Sequence, residues 1–321
     1  ITVQNTGAAA GTYDLADTFG FDPEASIVAG SVSAAVDPAT STVSNALTAG
    51  FTGTVAQPQI IAAESINPGQ QESYLVTVVV NVPNTATATA ATCTAVPSTG
   101  NGLFNQASLT VNATSTTADA CVDTPKVANI THSKTVAAPV ASADGNPNHF
   151  DITYTIAVSN TGAAVGVYDL TDVFGFDPAT NIVAGSIAVS KTANVTNALN
   201  PAFDGTVINS SLVSAESIAA GSALVPTVES YTVKVTVNVP VNAVDTSAAC
   251  VVGTAGNGLF NNSSLTVNST TTMDDACVPT PKVANISHVK SIAVPAALVV
   301  GQTNQYRITY RILVSNTGGK E

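Results

Sequence analysis

Charge is what this chain has least of. Only 9% of its 321 residues are Asp, Glu, Lys or Arg, against roughly 25% in an ordinary soluble protein. The 21 acidic residues outnumber the 9 basic ones, for a net charge of −12. A chain so short of cations cannot neutralise a phosphate backbone, which excludes nucleic acid as a partner. Trp is missing and aromatics make up 5%. No apolar run reaches the roughly 20 residues of a membrane-spanning helix, and no signal peptide heads the sequence. No C-x-x-C or C-x-x-C-H occurs, which removes the usual spacings of zinc sites, thiol redox centres and haem attachment. Thr, Ser, Asn, Ala and Val dominate instead, a composition suited to strands and polar turns. Hydrophobic residues at 45% are ample for a core and argue against disorder.

The chain repeats itself. "NTGAAAGTYDLADTFGFDP" at Asn5–Pro23 returns as "NTGAAVGVYDLTDVFGFDP" at Asn160–Pro178, a shift of 155. "GNGLFNQASLTVN" at Gly100–Asn112 returns as "GNGLFNNSSLTVN" at Gly256–Asn268, and "TPKVANITHSK" at Thr124–Lys134 as "TPKVANISHVK" at Thr280–Lys290, both shifted by 156. A period this long is a whole domain in tandem, not a solenoid turn. The expected organisation is an incomplete unit over 1–125, a complete unit over 126–281, and over 282–321 the opening strand segment of a next unit.

Alternation identifies the elements as strands. In "YTVKVTVNV", Tyr231, Val233, Val235, Val237 and Val239 share one face, and Tyr74, Val76, Val78, Val80 and Val82 do so in the other copy. Near the end, Tyr306, Ile308, Tyr310, Ile312 and Val314 alternate with Arg307, Thr309, Arg311, Leu313 and Ser315. Gly, Pro and Asn clusters such as "SNTGAA" and "GFDPAT" separate the runs. No amphipathic helix stands out. The expected fold is all-β, an antiparallel sandwich of about eight strands per unit.

The strand "HSKTVAAP", then "ITYTIAVSNTG", "YDLTDVFGF" and a closing "NGLFNNSSLTVN" with "DDAC" resemble the bacterial and archaeal surface-protein repeat known as domain of unknown function eleven. The resemblance covers nearly the whole chain. It implies tandem immunoglobulin-like β-sandwiches in secreted or cell-surface proteins, and no catalytic residues.

Several residues are candidates for chemistry. The four cysteines fall two per unit, Cys93 with Cys121 and Cys250 with Cys277, separated by 28 and 27 residues. One disulfide per unit, worth roughly 3–4 kcal/mol by loop entropy, implies an oxidising, extracellular setting. Asp14, Asp17 and Asp22 recur as Asp169, Asp172 and Asp177, three carboxylates near one turn that could offer calcium its hard oxygens; otherwise they cap turns, and no other cofactor is expected. Lys134 and Lys290 lie on first strands, Asn112 and Asn268 on last ones. A buried, neutral lysine can be joined covalently to such an asparagine with a carboxylate, Glu64 or Glu216, moving the proton; the plainer alternative is a snorkelling strand lysine. Asn112, Asn129, Asn194, Asn209, Asn261, Asn262, Asn268 and Asn285 each precede x-Ser or x-Thr and are candidate glycan acceptors. The three histidines form no recurring constellation with Ser, Cys or Asp, so no enzyme is expected.

The phase of the repeat carries an expectation about assembly. A sandwich short of a strand exposes unpaired N–H and C=O groups beside an uncovered core. The segment around Tyr306–Val314 is the matching strand with no sandwich of its own. Completion by strand addition from another copy, or by continuity within a longer chain, removes both defects and predicts a head-to-tail homopolymer, an extracellular filament, sheath or stalk. The alternative is a cell-surface adhesin gripping a glycan or surface ligand. The copies diverge at "TAGFTGTVAQPQII" against "LNPAFDGTVINSSL", which is where such a ligand would be sought.

Overall fold

A computed structural model of the chain describes residues 1–39, 42–83, 92–93, 98–241, 249–251 and 253–319. All its regular structure is β, in antiparallel sheets, and among the described residues no helix is long and apolar enough to cross a membrane. The chain forms two compact units. The first comprises Ile1–Asn129, Thr161–Gly166 and Ala219–Pro226, and the second comprises Ile130–Asn160, Val167–Ile218 and Thr227–Glu321.

In the first unit, β1 (Thr2–Gln4), β6 (Gln71–Thr77) and β4 (Ser33–Val36) form one sheet in the order β1-β6-β4. The other sheet runs β5-β2-β8-β9, from β5 (Gln59–Ile66), β2 (Gly11–Phe19), β8 (Asn105–Val111) and β9 (Thr114–Ala120). The short strands β3 (Ser26–Ile27) and β7 (Val80–Asn81) pair with each other. Val3, Tyr13, Leu15, Ile60, Ile61 and Tyr74 are among the residues that pack between the sheets. This is the alternation of each strand expressed as an inner face.

The second unit is fuller. Its first sheet has six strands, in the order β10-β12-β17-β14 for β10 (Ile130–Val136), β12 (His149–Asn160), β17 (Thr227–Asn238) and β14 (Asn181–Ile182). Here β11 (Val140–Ala141) adds to β12, and β15 (Ala188–Lys191) to β17. The second sheet runs β16-β13-β18-β19, from β16 (Ser211–Ile218), β13 (Gly166–Phe174), β18 (Leu259–Val267) and β19 (Thr270–Val278). Ile152, Tyr154, Ile156 and Val158 of β12 and Tyr231, Val233, Val235 and Val237 of β17 are all but fully buried, in one core with Tyr168, Leu170 and Leu265 of the facing sheet. The antiparallel sandwich expected from alternation is thus what the second unit adopts.

The equivalent face in the first unit is less covered. Its β1 contributes only three paired residues where β12 contributes twelve, and Val76, Val78 and Val80 are only half-buried. Finally, β20 (Ile286–Leu298) and β21 (Tyr306–Asn316) pair only with each other among the described residues. Their pairing repeats β10–β12 at a shift of 156: Ile286 faces Asn316 and Lys290 faces Ile312, as Ile130 faces Asn160 and Lys134 faces Ile156. The copies differ in burial. Tyr306, Ile308, Tyr310, Ile312 and Val314 are about half or more exposed, whereas their counterparts Phe150, Ile152, Tyr154, Ile156 and Val158 are buried.

Candidate functional site

The most concentrated polar chemistry lies inside the second unit. Lys134 leaves the first sheet from β10, which packs beside β19 and β18 of the other sheet. Its backbone N–H donates to Asp274 Oδ2 at 2.6 Å, tying the two sheets together at this edge. The side chain turns inward and its ammonium meets Asp172 Oδ1 of β13, both side chains 0% exposed. Asp172 Oδ2 accepts from Asn261 Nδ2 of β18 at 3.0 Å. The two anchoring strands are neighbours: Asp172 faces Ser263 and Phe174 faces Asn261, so the asparagine lies diagonally across from the aspartate, within side-chain reach. Asn261 Oδ1 is buried with no hydrogen-bond partner among the described residues.

The surroundings are apolar. The Lys134 Nζ lies 5.5 Å from the centre of the Tyr154 ring, and that ring stacks on Phe176 and tilts against Phe174. Burial pushes Lys134 below the usual lysine range, against the pull of Asp172. Burial likewise pushes Asp172 up, against Lys134 and Asn261. Both shifts run towards the neutral amine and the neutral carboxyl group, the forms that a dry pocket favours.

The first unit carries the same site without its cation. Asp17 is fully buried and its Oδ2 accepts from Asn105 Nδ2 at 2.8 Å. Its Oδ1, the counterpart of the atom that meets Lys134, has no partner among the described residues. Burial raises its pKa. On β20, Lys290 sits 4.5 Å from the centre of the Tyr310 ring, repeating the pairing of Lys134 with Tyr154.

Several sequence expectations need correcting here. Asn112 and Asn268 do not approach a lysine; they occupy the exposed two-residue turns of β8–β9 and β18–β19, with φ of 51° and 48°, where the small polar side chain suits the left-handed backbone. Glu64 and Glu216 are not the proton carriers either. Glu64 accepts N–H bonds from Ser44 and Asn45, and Glu216 from Thr196 and Asn197. Burial alone would raise both, but these donors prevail and hold them below the usual carboxylate range. Asn261, bonded inside the core, is not an accessible glycan acceptor. Asn129, Asn194 and Asn209 spend their amide N–H on Thr161, Val228 and Asp204, while Asn262 and Asn285 are half-buried.

The aspartates do not converge on an ion. Asp14 and Asp169 each accept the N–H of a left-handed alanine, Ala63 and Ala215, beside an irregularity in β5 or β16. Asp22 and Asp177 close their own turns on Glu24 and Ala179. Among the described residues no group of three His, Cys, Asp or Glu side chains could hold a metal ion. The calcium expectation therefore fails, because each carboxylate already serves a separate part of the framework.

The cysteines pair as expected, Cys93 with Cys121 and Cys250 with Cys277, at Cα separations of 6.0 and 5.7 Å. Each bridge packs on a glycine of the "GNGLF" motif. Gly102 and Gly258 have φ of 53° and 56°, and a Cβ there would come within 2.7 and 2.9 Å of a cysteine sulfur.

Sequence reasoning passed over two groupings. One is the Lys134–Asp172–Asn261 cluster, whose signal was the in-phase return of Asp17 and Asn105 as Asp172 and Asn261. The other is a buried network in which Tyr168 bonds Glu229 and Tyr231, repeated by Tyr13, Glu72 and Tyr74. A cleft of about 450 Å³ lies in the first unit, lined by Asp14, Thr48, Phe51, Gln57 and Gln59 among others.

No protein-family model matches the chain, and no curated protein matches it in sequence. Among solved structures it is similar to the major pilin subunit of Bacillus cereus, at 9% identity and a TM-score of 0.27 over 95% of this chain and 84% of that one. It is similar also to the full-length major pilin SpaD of Corynebacterium diphtheriae, at 14% identity and a TM-score of 0.24, over 95% of this chain and 70% of that one. The RrgB pilus protein of Streptococcus pneumoniae aligns at 11% identity and a TM-score of 0.22, over 96% and 52%.

Proposed function

We propose that this chain is a structural segment of an extracellular filament, sheath or stalk, built from β-sandwiches in series and completed head to tail. Completion comes by strand addition between copies or by continuity of the chain. One observation carries this reading: a hairpin, β20–β21, repeats the register of β10–β12 and keeps its core-forming face in solvent, while Asp17 and Asn105 form the receiving pair of a site that lacks its lysine. Leaving five large apolar side chains in water costs on the order of 10 kcal/mol, which seating them in a sandwich recovers. A contact of hairpin to next unit is heterologous, and repeated without closure it extends into a fibre.

Electron microscopy and sedimentation of the purified chain test this. Elongated oligomers that grow with concentration are expected, and Ile312→Asp, on the exposed hairpin face, should abolish them. A compact monomer at all concentrations, with the hairpin closed onto its own first unit, would sink the proposal.

A second reading, an adhesin, is favoured by one feature. The cleft beside Phe51 is built largely from Thr48–Gln59, a stretch in which the two copies diverge. Saturable binding of a surface glycan, lost in Phe51→Ala with assembly intact, would support it.

A further inference from the structure

We infer that Lys134 and Asn261 become joined by an amide bond between their side chains, with Asp172 as the proton carrier. The site has the three parts such a reaction needs, already in contact and closed to solvent. Nζ is the nucleophile, the Asn261 Cγ is the electrophile, and Asp172 touches both residues through its two oxygens. Water, the competing nucleophile, does not reach these side chains, since Lys134, Asp172 and Asn261 are all buried, while a side-chain amine held beside an amide gains the large advantage of an intramolecular reaction.

Burial supplies the activation. An ammonium has no lone pair to attack with, and transfer of its proton to Asp172 leaves a neutral amine and a neutral carboxyl group, the forms that the dry pocket favours. The Asn261 amide can turn its Oδ1, which otherwise lacks a donor, towards the protonated Asp172, whose hydrogen bond then polarises the carbonyl. The Nζ lone pair attacks Cγ. Asp172 takes a proton from Nζ and delivers one to Nδ2, the Cγ–Nδ2 bond breaks, and ammonia leaves. The amine and carboxamide become a secondary amide and ammonia, with no oxidant or other reactant.

The geometry also selects the partner. Asp172 as electrophile would need a second acid to activate it. The carboxylate of Asp274, on β19, is taken up by the N–H groups of Lys134 and Asp275. Asn262, one residue along β18, points to the opposite face.

Mass spectrometry of the intact, denatured wild-type chain decides the matter without a variant. The expected mass is lighter by one ammonia than the linear chain with its two disulfides, and a protease digest should yield one branched peptide linking Lys134 to Asn261. A full linear mass with separate Lys134 and Asn261 peptides would overturn the inference, as would a branch from Lys134 to Asp172, which loses water. Asp172→Ala keeps both reacting groups and should return the linear mass; a branch that still forms there would remove Asp172 from the mechanism. If that variant does not fold, Asn261→Asp serves. It should give the same branched product with loss of water instead of ammonia, and failure to join would count against the assignment of Asn261.

Discussion

At Lys134 the cost of burial and the attraction of a partner meet in one side chain. A lone ammonium in a core would be prohibitive, and even the pair with Asp172 recovers only part of the loss. Glu216 shows the opposite balance. Burial works against its charge, but the N–H groups of Thr196 and Asn197 and the Thr196 hydroxyl all donate to it, and its pKa is lowered. A carboxylate with a depressed folded pKa contributes stability above its unfolded pKa and loses it as pH falls through the folded value. Urea titrations should therefore show a loss of stability on acidification that Glu216→Gln reduces. At neutral pH the same substitution should cost about 1–3 kcal/mol, from weakened bonds to buried donors. An unchanged pH dependence would show that Glu216 is not the group responsible.

Among elements, the loop closed by each disulfide depends on one backbone conformation. Gly258 holds φ of 56°, and an added Cβ would meet both Cys250 Sγ and the Val278 carbonyl oxygen at 2.9 Å. Gly258→Ala should lower the midpoint of thermal unfolding by several degrees, equivalent to about 1–3 kcal/mol, and slow disulfide closure during oxidative refolding. Strand identity at this scale was legible from alternation alone: the inward run Tyr231–Val237 is buried as the period of two requires. The cysteine pairs were legible from their phase. The identity of the lysine's partners was not. Asn268 stands seven residues beyond Asn261, and those residues carry the chain from the core of β18 to an exposed turn, a difference that composition and repeat phase do not register.

For the whole molecule, the two proposals together make a prediction that neither makes alone. A hairpin seated in the first unit of another copy would bring Lys290 to Asp17 and Asn105, recreating the cluster around Lys134. Purified assemblies should then leave ladders that survive boiling in detergent and reductant, and Lys290→Arg should dissolve the ladders while leaving the fibres visible. Fibres without ladders in the wild type would limit the amide bond to the interior of a unit. The sequence alone determined the repeat, the strands, the paired cysteines and the low-charge surface, because each is written in local order or in a constant shift between copies. Only the tertiary structure decided that Lys134 meets Asp172 and Asn261, that Glu64 and Glu216 clamp loops, and that the aspartates stay apart. Those meetings depend on which residues two stacked sheets bring face to face across strands, and on a burial that changes what each group's charge costs.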